Sequence, residues 1–488
     1  MNNPIRRLAV LVALMFTALF VASSIIQFAQ ADDLRTRSDN RRTLLARYGS
    51  DRGSILVAGN PVARSERVDD ELKYLRTYPK GRLYSHITGY YSFIYGSGGG
   101  LEQSSDDVLS GQGDALFYRR LGDLLMGKQP VGLNLELTIN DKAQAAADRA
   151  LGDQRGAVVA LDPRTGAILA MVSHPQYDPN ALSSHQGKGV DAVWKELRAD
   201  RTRPLTNRAI TGDLYPPGST FKVITAAAAL SSGRYTETSE LTGTAALAIP
   251  GTTATLKNSG GGSCGGGTVD LTAALRMSCN TAFGQLGMDL GAQALRDQAA
   301  KFGFTRPLSI PMTVTPSVVG PMPGKPQEAF SAIGQQDVRV TPLQMAMVAA
   351  AIANDGRMMQ PYLVQQVRGA GLDVTDRTQP SEIAAPVSQE VADALTRMMR
   401  QVVEGGTGTR AQLPGIAVAG KSGTAEHGFD EGVKRPPHAW FISFAPADDP
   451  KVAVAVVVED GGNAGSEAAG GQISAPIARE VMKAVISP

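Results

Sequence analysis

The chain has 488 residues, and single hydrophobic cores stop growing near ~250–300 residues, so more than one domain is expected. Hydrophobic residues at 43% and charged residues at 19% describe an ordinary globular balance and argue against a disordered chain. The formal net charge of +2 provides no polyanion-binding signature and excludes nucleic acid as a favoured partner, while the 53 glycines follow no collagen-like period.

At the N-terminus, Arg6 and Arg7 precede a charge-free run from Leu8 to Phe28. A helix of that length crosses a bilayer. Ala29-Gln30-Ala31 has the small-x-small form of a signal cleavage site. The run nevertheless exceeds the ~7–15 apolar residues of a signal peptide, so a retained anchor is expected. Residues 1–7 then form a cytoplasmic tail, 8–28 the anchor, and the rest lies outside. Arg35, Arg37, Arg41 and Arg42 after the run outnumber the two arginines before it, but long domains translocate largely regardless of charge.

Residues 29–135 are polar and turn-rich, with Tyr90–Tyr95 as the best strand and Gly96–Gly100 as a loop, and read as a non-catalytic module. A new domain, 136–488, opens near Leu135–Ile139, with a helix expected over Asp141–Leu151. Gly156–Leu161 and Ala167–Val172 are apolar, β-branched runs flanking the turn composition Asp162-Pro163-Arg164-Thr165-Gly166, and predict a hairpin. A helix over Pro342–Ala353, capped by Thr341, is apolar nearly all round and hence buried. Ala439–Phe444 and Val452–Val458 predict two more strands, and Ala475–Val485 a last helix. An antiparallel sheet drawn from both ends of a domain, with helices inserted between, is an α+β arrangement.

Cys264 and Cys279 are the full cysteine complement, an even number that an oxidising compartment permits to pair. A bridge between them would close a loop of about 15 residues, worth ~3 kcal/mol on the chain-entropy account.

The chemistry begins at Tyr215-Pro216-Pro217-Gly218-Ser219-Thr220-Phe221-Lys222, which leads into the alanine-rich helix Ile224–Leu230. Ser219 then sits at a helix start and Lys222 one turn on, on the same face. A free hydroxyl is a weak nucleophile that needs a base, and lysine serves only if burial or a second cation keeps it neutral. A lone Ser-x-x-Lys is expected by chance in a chain this long. Ser278-Cys279-Asn280 and Lys421-Ser422-Gly423-Thr424, in that order, change its weight. Ser-x-Asn alone carries little, as Ser38-Asp39-Asn40 beside the anchor demonstrates. Of the five histidines, His427 lies just past Thr424 and His438 just before Trp440; both read as structural or rim residues, since no Gly-x-Ser-x-Gly elbow accompanies them. No His/Cys/carboxylate cluster has metal spacing and no nucleotide loop is present, so neither metal nor cofactor is expected.

These three boxes resemble those of penicillin-binding proteins. The resemblance extends to Gly156–Pro163, Asn207-Arg208-Ala209, Thr341–Ala346 and Ala353-Asn354-Asp355-Gly356. Upstream, Arg52-Gly53-Ser54-Ile55 and Gly100-Leu101-Glu102 resemble motifs of the N-terminal pedestal of class B members, most closely the actinobacterial penicillin-binding protein A group. Leu56–Asn60 stands where Asp-Arg-Asn-Gly is common.

The resemblance implies a serine β-lactamase-like transpeptidase fold behind a pedestal, and a D,D-transpeptidase that joins peptidoglycan stem peptides and is acylated by β-lactams. It implies Ser219 as nucleophile, Lys222 as base, Ser278 as proton relay, Asn280 as amide binder and Lys421 as the second cation. Ser422 and Thr424 would hold the terminal carboxylate, with Gly423 between them, and the amides of Ser219 and Thr424 would form an oxyanion hole. A polytopic glycosyltransferase of the elongation or division machinery is the implied partner, because residues 29–135 are too few for a glycan-polymerising domain. The rival readings are a D,D-carboxypeptidase, a β-lactamase, and a non-catalytic β-lactam-binding scaffold or sensor.

Overall fold

The computed structural model describes residues 3–30, 48–111, 131–369, 371, 373–430 and 433–487. Ala31, the arginines at 35, 37, 41 and 42, and Ser38-Asp39-Asn40 lie outside that set. Asn3–Ser24 is an α-helix that continues as a π-helical turn over Ile25–Ala29. Among the described residues it is the one helix long and apolar enough to cross a membrane, and none of it is buried against the protein.

The N-terminal module is built on a hairpin. Ile55–Val57 pairs antiparallel with Asn60–Arg67, and Ala58 and Gly59 turn the chain at φ 49° and 77°. Within Leu56–Asn60, Ala58-Gly59 is therefore a tight two-residue turn between strands. Tyr74–Thr77 adds to one side, and Asn134–Leu137 pairs parallel with Ile55–Val57 on the other. Val364–Arg368 and Val374–Arg377, more than two hundred residues later, complete the sheet. Residue 136 thus falls inside a strand of a sheet that both segments of the chain share. The strand expected over Tyr90–Tyr95 is shorter, Tyr90–Ser92, and the expected glycine loop supplies its partner, Gly96–Gly98.

The two pedestal motifs meet in the interior. Arg52 Nε donates to Glu102 Oε2 at 2.7 Å and Arg76 Nε to Glu102 Oε1 at 2.6 Å, all three side chains being buried. Gly53 and Gly100 are needed beside them, because a Cβ on Gly53 would lie 1.9 Å from Leu133 O and one on Gly100 would lie 2.3 Å from Gly89 N.

The second sheet has five antiparallel strands, β1 (Gly156–Leu161), β2 (Ile168–His174), β3 (Ala419–Ala425), β4 (His438–Ala445) and β5 (Val452–Val458), in the order β3-β4-β5-β1-β2. Alternate residues serve opposite cores. Val454, Val456 and Val458 join Val158 and Ala160 against α1 (Asp141–Leu151) and α7 (Gly470–Ile486). Ala453, Ala455 and Val457 join Ala157 and Val159 against α5 (Pro342–Ala353), in the core that also holds α2 (Lys222–Ser231). With helices on both faces, these strands are apolar throughout rather than alternating. The Thr341 hydroxyl caps α5 by accepting from Gln344 N at 3.1 Å. Strand β3 lies at the sheet edge, which leaves one side of its backbone open to a ligand.

Candidate active site

Ser219 stands in a 3-10 turn, Gly218–Phe221, that runs directly into α2 at Lys222. Side chains three apart eclipse in such a turn, which stacks Lys222 over Ser219 more directly than an α-helix would. Gly218 starts the turn at φ 54°, and a Cβ there would meet Thr424 O at 2.6 Å. This glycine lets the Ser219 turn lie against β3. The loop is held from behind, where Glu459 Oε1 accepts from Tyr215 Oη at 2.6 Å and from Arg208 Nε at 2.8 Å. Trp440 Nε1 donates to Pro216 O at 3.0 Å. The Asn207-Arg208-Ala209 motif thus supplies the brace for the loop.

Lys222 is fully buried and its Nζ donates to Ser278 O at 2.7 Å, Asn280 Oδ1 at 2.7 Å and Ser278 Oγ at 3.3 Å. Among the described residues no hydrogen bond joins Nζ to Ser219 Oγ; the lysine is tied to the second box, a state compatible with catalytic contacts that tighten only when substrate binds. Lys421, equally buried, donates to Ser278 Oγ at 2.9 Å and to Ser422 O at 2.8 Å. Ser278 Oγ therefore bridges two lysines. Burial, with the Lys421 charge second, pushes Lys222 well below its ordinary range. Burial holds Lys421 down to about 7.

Ser278 ends α3 (Leu271–Met277) in the left-handed conformation, φ 60° and ψ 42°, a position glycine usually takes. The next residue, Cys279, is disulfide-bonded to Cys264 with 6.2 Å between Cα atoms, and Asn280 then opens α4 (Asn280–Lys301). The bridge pins the residue between the two functional side chains. Asn280 Nδ2 donates to Lys257 O at 2.9 Å, which turns its oxygen toward Lys222.

On β3 the register sets Lys421 opposite Ile442, Ser422 opposite Phe441, Gly423 opposite Trp440 and Thr424 opposite Ala439. A Cβ on Gly423 would meet Pro217 O and Thr220 Cγ2, each at 2.9 Å, so the glycine admits the serine loop against the strand. Hydrogen bonds bring Lys222, Ser278, Asn280 and Lys421 together, and the Ser219 turn lies against the third box where Gly218 approaches Thr424 O.

Two features were missed by sequence reasoning. Thr407, in the loop after α6 (Gln389–Gly405), hydrogen-bonds Ser422, Oγ to Oγ at 2.6 Å; its Gly-Thr-Gly setting reads as an ordinary turn. His427 and His438 stack at 3.5 Å with planes 9° apart beside Asp460, which the sequence places far from both. His427 Nε2 lies 2.9 Å from Asp460 Oδ1, and Asp460 N donates to His438 Nδ1 at 3.1 Å. By distance the three could share a cation. Parallel rings, however, cannot both aim in-plane lone pairs at one ion, and Arg155 and Arg435 already face the carboxylate. The group is a clasp at the loop end of the β3–β4 hairpin. Burial, then the His427 charge, lowers His438 to about 3, so that ring is neutral.

Residues 156–483 match the penicillin-binding protein transpeptidase domain, and residues 52–135 the penicillin-binding protein A dimerisation domain. The chain belongs to the penicillin-binding protein family. A relative from Mycolicibacterium smegmatis named peptidoglycan D,D-transpeptidase PbpA is 46% identical, covering 100% of this chain and 99% of its own. Its namesake from Mycobacterium tuberculosis is 45% identical over the same shares of the two chains. The fold of this penicillin-binding protein is similar to that of M. tuberculosis penicillin-binding protein A solved as a ceftriaxone acyl-enzyme complex. The TM-score is 0.87 at 45% identity, with 91% of this chain and 100% of that one covered. The same relative's penicillin G acyl-enzyme complex matches with a TM-score of 0.84 at 46% identity over 90% and 100%.

Proposed function

We propose that this chain is a class B D,D-transpeptidase that cross-links peptidoglycan stem peptides through an acyl-enzyme on Ser219. The observation that carries the reading is Ser278 Oγ held between Lys222 and Lys421 beside the turn that presents Ser219. Neutral Lys222 takes the Ser219 proton as Oγ attacks the carbonyl of the penultimate D-alanine. Negative charge develops on the carbonyl oxygen, toward the amides of Ser219 and Thr424, where one such donor is typically worth ~2.7–4 kcal/mol. The proton passes through Ser278 to the departing amine of the terminal D-alanine. An acceptor amine then attacks the acyl-enzyme, gives up its proton along the same route, and leaves the peptide bond formed and Ser219 restored.

Asn280 orients the donor's amide, and the open edge of β3 pairs with the extended peptide. Ser422 and Thr424 hold the terminal carboxylate, with Lys421 as the second cation beside Ser278. A β-lactam presents the same carbonyl and carboxylate but keeps its leaving group tethered, so the acyl-enzyme persists.

The Asn3–Ala29 helix supports a single-pass anchor that places the site outside the cytoplasmic membrane. The pedestal, residues 29–135, holds the transpeptidase domain, 136–488, away from the bilayer and toward the wall. Glycan strands come from a polytopic glycosyltransferase partner, and the setting is wall synthesis during cell division. The deciding experiment supplies donor stem peptide with a labelled acceptor amine. A transpeptidase incorporates the label, whereas a D,D-carboxypeptidase releases only hydrolysed donor and free D-alanine, and a scaffold does neither.

A further inference from the structure

We propose that Thr407 is the positioning residue for carboxylate recognition, acting through Ser422; this rests on the reading of Ser219 as the acylated residue. The Thr407–Ser422 contact, 2.6 Å between hydroxyl oxygens, lies at the short end of the O–H···O range. Ser422 is only 7% exposed, whereas Thr407 is open to solvent.

The loop that delivers Thr407 is wedged on both sides. Gly406 N and Gly408 N both return to Val402 O, at 3.2 and 2.9 Å, which curls the chain back at the end of α6. Thr407 N donates to Arg276 O at 3.3 Å, two residues before Ser278. A Cβ on Gly406 would lie 2.5 Å from that same carbonyl, and one on Gly471, in the first turn of α7, would lie 1.8 Å from Thr407 O. Two glycines thus allow the loop to touch the end of α3, the start of α7 and the middle of β3 at once. The Thr407 backbone N–H holds the end of α3 just before the second box, and its side chain holds Ser422 of the third.

The hydrogen-bond inventory fixes the direction once a ligand arrives. A hydroxyl has one proton and two lone pairs, and a carboxylate only accepts. A carboxylate at Ser422 takes the Ser422 proton, so the 2.6 Å contact persists only with Thr407 donating. The chain then runs Thr407 to Ser422 to carboxylate, and each donated bond polarises the next. Lys421 Nζ, bonded to the Ser422 carbonyl at 2.8 Å, holds the same residue from behind. Without Thr407, the buried Ser422 hydroxyl is free to rotate away from the ligand.

The test uses the full chain in detergent micelles and follows acylation by penicillin G and by its methyl ester, which lacks the anionic carboxylate. For penicillin G, Thr407→Val is expected to slow acylation about 10-fold, as for loss of one charge-directed hydrogen bond, and Thr407→Ser to stay within about 2-fold of wild type. For the ester, Thr407→Val should change the rate by less than about 2-fold, and adding it to Ser422→Ala should cost no more than Ser422→Ala alone. Equal slowing of acid and ester, an unchanged rate with the acid, or additive losses in the double variant would overturn the proposal while leaving the Ser219 reading intact. A wild-type chain not acylated at Ser219 by either compound would overturn that reading and this inference together.

Discussion

Two buried lysines share one serine hydroxyl, and on the proposed mechanism that arrangement sets the pH range in which Ser219 reacts. Both ammonium groups titrate below their ordinary value, so each binds fewer protons folded than unfolded. For Lys421 the penalty is fully present below about 7 and is relieved as pH rises toward the unfolded value of 10.5, so stability climbs across that window. Acylation by penicillin G is expected to rise with pH as Lys222 loses its proton and to decline as Lys421 follows. In Lys421→Met the rising limb should move to higher pH, because the cation that depresses Lys222 is gone; a limb that stays in place in a stopped-flow pH profile contradicts the assignment. At this scale the boxes were legible because each is short and of fixed spacing. Thr407 and the His427–His438–Asp460 clasp were not, since their partners are set by tertiary packing and no local pattern announces them.

At the level of elements, the legible parts were those whose burial shows in their composition. Strands β1 and β5 and helices α1 and α5 fall where apolar, β-branched or capped runs predict them, with α1 and α5 matching residue for residue. Helix α7 begins earlier than expected, at Gly470, because its first turn is glycine and carries no apolar signal. Those glycines have a structural reason. A Cβ on Gly470 would lie 2.0 Å from Trp440 O and 2.3 Å from Gly423 O, both backbone atoms that cannot step aside. Gly470→Ala should therefore lift α7 from β3 and β4, destabilise the protein by about 1–3 kcal/mol, and slow acylation through the displaced Gly423. An unchanged melting temperature in differential scanning calorimetry would show that the helix start tolerates the methyl.

Across the whole molecule, an apolar N-terminal helix and the two family regions, residues 52–135 and 156–483, were foreshadowed by hydropathy and motifs. The sharing of one sheet by Ile55–Val57, Asn134–Leu137 and Val364–Arg368 was not. Val364–Arg368 is half-buried and Val374–Arg377 fully exposed, so neither shows the alternation that marks a strand packed on a core. The pedestal's interior depends on Glu102 answering Arg52 and Arg76, and removing one partner leaves buried charge uncompensated. Glu102→Ala should cost about 3–5 kcal/mol in urea unfolding, against a near-neutral change for the exposed pair Arg64–Glu66. Every other role proposed in the site depends on Ser219 being the nucleophile. The direct measurement is intact mass of the full-length protein after incubation with penicillin G, followed by peptide mapping. One added penicillin on the peptide at Ser219, absent in Ser219→Ala, is the predicted result; no adduct, or an adduct on another residue, would contradict it.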